Sequence, residues 1–154
     1  MKTDQASGIA IIGCGAITEA GHLPAALSLE GITQIVLVDK DTSRAQRLAS
    51  KSSLCTTAQD CQNLAGKVDA AIVALPPALH APVSCELLLQ GIHVLVEKPM
   101  GRTIAECDSM IDAAREGNAT LAVGFVRRFR WAYRFAKQII ESKILGSLQS
   151  VDVS

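Results

Sequence analysis

Aromatic side chains are almost missing from this chain: it has five in 154 residues, all between Phe125 and Phe135. Everything before Phe125 must therefore build its core from aliphatic residues alone. That favours short Val, Ile, Leu and Ala strands buried on both faces, as in a parallel sheet covered by helices. An excess of one charge is missing too. Fifteen basic and fifteen acidic residues cancel, so no global field draws the chain towards nucleic acid or an anionic membrane. Long apolar runs are absent, and none reaches the ~18 residues of a membrane-spanning helix. Met1–Ser7 is short and polar and does not read as a signal peptide. The five cysteines (Cys14, Cys55, Cys61, Cys85, Cys107) are odd in number and scattered, with no C-x-x-C pair. That usage fits reduced thiols in a cytosol better than a disulfide frame or a zinc site. The expectations are a cytoplasmic location, no metal site, no membrane and no nucleic-acid partner.

What is present is a regular alternation. Apolar runs at Ile9–Ile12, Ile35–Val38, Ala70–Leu75, His93–Val96 and Leu121–Val123 read as buried strands. Helical patterns lie between them at Ile17–Leu29, Thr42–Ser52, Leu79–Leu89 and Ile104–Glu116. A weak strand near Leu54–Thr56 and a short helix near Gln59–Leu64 complete the set. Boundary signals agree: Asp41 or Thr42 caps the second helix, Thr103 with Glu106 opens another, and Gly91 and Gly117-Asn118 close two. Such alternation predicts an α/β fold with a doubly wound, mostly parallel sheet. A last helix is predicted from Phe129 to Ser142. After Gly146, Leu148–Val153 begins to alternate like a strand.

The first strand runs into Gly13-Cys14-Gly15-Ala16-Ile17-Thr18 at the start of a helix. In a dinucleotide-binding (Rossmann) turn the first glycine permits the bend and the second lets backbone approach the pyrophosphate. The helix start then offers free N–H groups to the phosphates. Thr18 stands where Gly or Ala is usual, which predicts slightly looser helix–strand packing. Asp39 ends the next strand, placed to accept hydrogen bonds from the adenosine ribose. A carboxylate there disfavours the extra phosphate of NADP, so NAD is the expected cofactor. Lys40 and Arg44 nearby leave NADP open.

Two further segments are distinctive: Asp69-Ala-Ala-Ile-Val-Ala-Leu-Pro-Pro-Ala-Leu-His80 and Gly91-Ile-His-Val-Leu-Val-Glu-Lys-Pro-Met100. With Gly13–Thr18 and Val123–Phe129, they resemble the Gfo/Idh/MocA family of glucose–fructose oxidoreductase, inositol dehydrogenase and their relatives. The resemblance runs from about Gly8 to Val153. It implies a Rossmann domain over residues 1–145, with 146–154 as the first strand of an α+β substrate domain otherwise missing from this chain. It implies an NAD(P)-dependent dehydrogenase transferring hydride to or from a polyol, sugar or related hydroxy compound. It also implies that Lys98 acts beside the nicotinamide, usually with a histidine of the second domain, and that Lys98-Pro99 is cis. Lys98 at a strand's carboxyl end can hydrogen-bond a substrate hydroxyl and stabilise the alkoxide formed as hydride leaves.

The cofactor contacts expected on these grounds are Gly13, Gly15, Ala16, Ile17, Asp39, Lys40, Arg44, Leu75, Pro76, His80, Glu97, Lys98 and Arg128. Lys98 is also the expected catalytic residue. His22 lies in the first helix, with a packing role equally open. Leu75 and Val126 depart from the family's usual threonine and asparagine, which puts a standard polyol substrate in doubt. A catalytically silent dinucleotide-binding or interaction module stays open as the alternative. The last helix places Phe129, Ala132, Tyr133, Ala136 and Ile140 on one inward stripe, with Trp131 and Phe135 on a second face. Two apolar faces predict packing against another domain and a homo-oligomer.

Overall fold

The computed structural model describes residues 7–150. The chain divides into two compact units, residues 1–124 and 125–154.

The first unit carries a six-stranded sheet in the order β3-β2-β1-β4-β5-β6. The strands are β1 (Ser7–Ile12), β2 (Ile32–Val38), β3 (Cys55–Ala58), β4 (Ala70–Val73), β5 (His93–Val96) and β6 (Leu121–Val123). Every adjacent pair is parallel. The helices are α1 (Leu23–Leu27, entered through a π-helical turn at Thr18–His22), α2 (Thr42–Ala49), α3 (His80–Leu89) and α4 (Ile104–Glu116).

Side chains alternate across the sheet, so each strand feeds two cores. Ala10, Ile12, Val36, Val38, Val73 and Val96 pack on the side of α3 and α4, against Leu87, Leu88 and Met110. Ile11, Ile35 and Leu37 pack on the other side, against Leu23 and Ala26 of α1 and Ala45 and Leu48 of α2. Burial on both faces explains why the strands read as unbroken aliphatic runs.

Boundary chemistry behaves as local physics requires. The Asp41 carboxylate accepts from the Ser43 amide at 3.1 Å and caps α2. Thr103 Oγ1 accepts from the Glu106 amide at 3.1 Å and caps α4. Glu106 turns its own carboxylate to the Arg102 amide at 2.7 Å.

Residues 59–64 form turns, not the expected short helix. The Asp60 carboxylate accepts from the Gln62 amide at 2.9 Å, and Asn63 takes a left-handed φ of 62°. A side chain that bonds the backbone two residues on competes with helix formation.

In the second unit, α5 (Trp131–Ser142) follows a 3₁₀ turn at Val126–Phe129. Trp131 and Phe135 stack with ring centroids 5.1 Å apart, and Arg128 lies over the Phe125 ring at 5.6 Å. No residue of α5 is buried. The expected inward stripe is therefore exposed: Tyr133 and Ile140 keep 40% and 44% of their surface, and Phe129 just before the helix keeps 76%. Residues 148–150 form no strand; residues 151–153 of that expected strand lie outside the described residues.

Candidate functional site

Strand register builds the site. Ile12 is level with Val38 and Val73, Val73 with Val96, and Val96 with Val123. The next residue of each chain, Asp39, Gly13, Ala74, Glu97 and Gly124, therefore stands in one row along the carboxyl edge. Backbone hydrogen bonds join the row: Gly13 N–H to Val38 O at 2.8 Å, Ala74 N–H to Ile12 O at 2.8 Å, and Glu97 N–H to Val73 O at 3.0 Å. At about 4.8 Å between neighbouring strands, Asp39 and Glu97 are roughly 14 Å apart across the sheet. The order also changes direction here. From β1 the chain winds out to β2 and β3, then crosses to β4, which makes the β1/β4 boundary the switch point where ligands bind.

The glycine turn is held from three sides. Gly13 has φ +99°, and a Cβ there would collide with the Ala74 carbonyl oxygen. Only glycine fits both the conformation and the space. Thr18, fully buried, donates from its hydroxyl to the Gly13 carbonyl at 2.6 Å. The expectation of looser packing at Thr18 is corrected: the hydroxyl staples the turn to its helix. The Cys14 amide donates to Asp39 Oδ2 at 2.8 Å, and the Asp41 amide to Asp39 Oδ1 at 2.9 Å. Each carboxylate oxygen keeps acceptor capacity for a further hydroxyl. The Cys14 thiol is pushed up to about 11 by burial, with the Asp39 carboxylate adding to the shift. It therefore stays protonated and contributes no nucleophile.

A cleft of about 540 Å³ opens beside this turn, lined by Gly13, Gly15, Asp39, Lys40, Arg44, Leu75 and Pro76 among others. Seven expected residues thus line the same cleft. Gln59–Gln62, Leu79, Val83 and Glu86 line it as well. The sequence pattern had not pointed to them. Ala16 and Ile17 are exposed in the turn that opens the first helix, where N–H groups have no carbonyl of their own helix to bond. Arg44 also reaches Asp41 at 3.2 Å.

Glu97 and Lys98 stand further along the row, outside the cleft lining. Glu97 Oε2 accepts from the Lys98 amide at 3.1 Å, while its Oε1 lies 3.0 Å from His22 Nε2. That contact ties the helix after the glycine turn to the end of β5 and gives His22 a definite place. Lys98 is exposed, with no ion-pair partner among the described residues, and Lys98-Pro99 is cis. His80 does not face the cleft. It is 1% exposed, and its ring sits between the Leu75 and Pro99 carbonyl oxygens, each 2.7 Å away. Arg128 belongs to the second unit. Among the described residues no group of three or more His, Cys, Asp or Glu side chains could hold a metal. No described helix is long and apolar enough to cross a membrane.

A glycine that tolerates no side chain, amides at a helix start, a strand-terminal carboxylate and a cleft between them fit a dinucleotide. Comparison with known proteins agrees. The family model for GFO_IDH_MocA, described as an oxidoreductase family with an NAD-binding Rossmann fold, matches residues 7–125. The chain belongs to this family. Among Gfo/Idh/MocA relatives, the inositol 2-dehydrogenase of Acidothermus cellulolyticus is 31% identical, over 95% of this chain and 44% of its own length. A dTDP-3,4-didehydro-2,6-dideoxy-α-D-glucose 3-reductase of Streptomyces violaceoruber is 29% identical, over 99% of this chain and 45% of its own. The WlbA dehydrogenase of Bordetella pertussis, solved with NADH and UDP-GlcNAcA, has a TM-score of 0.85 at 24% identity, covering 94% of this chain and 42% of that one. The chain thus spans under half the length of these relatives. It is an NAD-binding Rossmann domain of an oxidoreductase family.

Proposed function

We propose that this chain is the cofactor half of a dehydrogenase or reductase working on a secondary alcohol or ketone of a polyol, sugar or sugar derivative. The observation that carries the reading is the single row along the carboxyl edge, with Asp39 at one side, Gly13 in the middle and Glu97-Lys98 at the other. A dinucleotide bound with its adenosine ribose at Asp39 and its phosphates at Gly13–Ile17 leaves its second half over β4 and β5. The related reductase and inositol dehydrogenase support the substrate class.

Bound NAD supplies the hydride acceptor. The chain's own residues do the rest. Gly13, Gly15, Ala16 and Ile17 hold the phosphates by their backbone, and Asp39 accepts from ribose hydroxyls while repelling a 2′-phosphate, so NAD is preferred over NADP. Lys40 and Arg44 flank the ribose end, and Leu75 and Pro76 wall the middle of the cofactor. Lys98 donates to the reacting oxygen of the substrate and stabilises the negative charge that grows there during oxidation. Glu97, bonded to both the Lys98 amide and His22, fixes the turn that presents this lysine. Arg128 is kept as a cofactor contact on the family resemblance alone.

We read residues 1–145 as the cofactor domain and 146–154 as the opening of a substrate domain. The exposed Trp131 and Phe135 support self-association, and five free cysteines suit a reducing cytoplasm.

The chain alone is expected to be inactive, so the test joins it to a substrate domain and follows NADH formation over a panel of polyols, cyclitols and sugar nucleotides, with and without Lys98→Met. Loss of roughly a hundredfold or more in kcat, with NAD affinity unchanged, is expected. A variant as fast as the parent would remove Lys98 from the chemistry.

A further inference from the structure

His80 is the least expected feature of the site. It follows Pro76-Pro77 in sequence, yet its ring is buried behind the cleft wall. Nε2 stands 2.7 Å from the Leu75 carbonyl oxygen and Nδ1 stands 2.7 Å from the Pro99 carbonyl oxygen. Carbonyl oxygens only accept, so the ring donates from whichever nitrogen carries its proton, and both oxygens lie within reach of it. One of its partners lies within the cleft lining. The other immediately follows Lys98. These two turns leave adjacent strands, β4 and β5, beyond their last ladder residues Val73 and Val96, where no further strand pairing holds them in register. The His80 ring bridges that gap.

We propose that His80 is a positioning residue that sets the Leu75-Pro76 turn and the Lys98-Pro99 turn at a fixed separation, and with them the seat of the cofactor's nicotinamide half. The inference rests on the cofactor orientation proposed above. A buried ring seated between the two carbonyl oxygens at the start of α3 has few ways to move, so it spaces both turns without its own side chain touching the ligand. Asp39 and the glycine turn lie on β2 and β1, two and one strands away from β4, and are tied to each other by the Asp39–Cys14 bond rather than by this bridge. The two halves of the dinucleotide should therefore respond differently when it is cut.

The experiment titrates NAD and ADP-ribose, which lacks the nicotinamide, into the parent chain, His80→Leu and His80→Gln, with the fold of each checked by circular dichroism. His80→Leu fills similar space without a donor; His80→Gln keeps an amide donor. We expect the NAD Kd to rise roughly tenfold in His80→Leu, as for loss of a buried hydrogen bond. The rise should be smaller in His80→Gln, with ADP-ribose within about twofold throughout. If His80→Leu does not fold, the same NAD-specific loss in His80→Gln decides the question. Equal weakening of both ligands, or unchanged NAD binding, would overturn the positioning role while leaving the cofactor reading intact. A parent that binds neither ligand would overturn that reading itself.

Discussion

Asp39 and the Cys14 amide form a 2.8 Å hydrogen bond that joins the end of β2 to the glycine turn after β1. The same carboxylate takes the Asp41 amide at 2.9 Å. Asp39 is therefore a structural group as well as a ribose acceptor, and its removal should be felt without any ligand. Asp39→Ala is expected to lose about 1.5–3 kcal/mol in urea unfolding, the range for bonds to a charged acceptor. An apo protein of unchanged stability would mean that water replaces both bonds.

Gly13 offers a sharper test of the turn. A methyl group must enter at φ +99° and against the Ala74 carbonyl. Left-handed strain of about 1–2 kcal/mol and overpacking of about 1–3 kcal/mol should combine, so Gly13→Ala is expected to unfold at clearly lower urea and to lose dinucleotide binding. Normal binding in this variant would show that the turn has room the structure does not contain.

Glu19 contributes to the acid limb of stability. Hydrogen bonds from Arg47 at 2.6 Å and Lys51 at 2.9 Å hold its carboxyl down at about 2. A folded-state value below the unfolded one stabilises the fold while the carboxylate is charged in both states. That contribution is present above the ordinary glutamate range and lost as pH falls through it towards 2. Glu19→Gln should therefore lower stability at neutral pH and flatten its decline between about pH 4.5 and 2. Parallel pH curves for variant and parent would contradict the pairing.

Ser84 in α3 is fully buried, and its hydroxyl has no hydrogen-bond partner among the described residues. Removing an unpaired buried hydroxyl relieves a desolvation cost, so Ser84→Ala is expected to be neutral or to gain up to about 1 kcal/mol. A clear loss in thermal melting would reveal a partner for that oxygen.

Much of this was legible because local rules carried it. Thr103 with Glu106 marks the start of α4, and aliphatic runs two faces deep mark the strands. Gly13, Gly15 and Asp39 sit at fixed points around a strand–turn–helix unit, so their meeting follows from connectivity. Other features depend on the fold as a whole. Residues 59–64 hold two Gln and a Leu and so look helical, but Asp60 and Asn63 turn the backbone instead. His22 and Glu97 are 75 positions apart, and no spacing rule joins them. The His80 bridge likewise needs two turns that only the sheet brings together. Thr18 looked like an imperfect glycine position, because the carbonyl its hydroxyl reaches becomes visible only when the turn closes.

The most direct measurement is a calorimetric titration of the chain and of Asp39→Ala with NAD and with NADP. The account predicts that the parent binds NAD more tightly than NADP. Asp39→Ala should weaken NAD by roughly tenfold or more, the cost of losing hydrogen bonds to a charged acceptor, and should narrow the difference between the two cofactors. A folded parent that binds neither cofactor at millimolar concentration, or a preference that survives in Asp39→Ala unchanged, would contradict it.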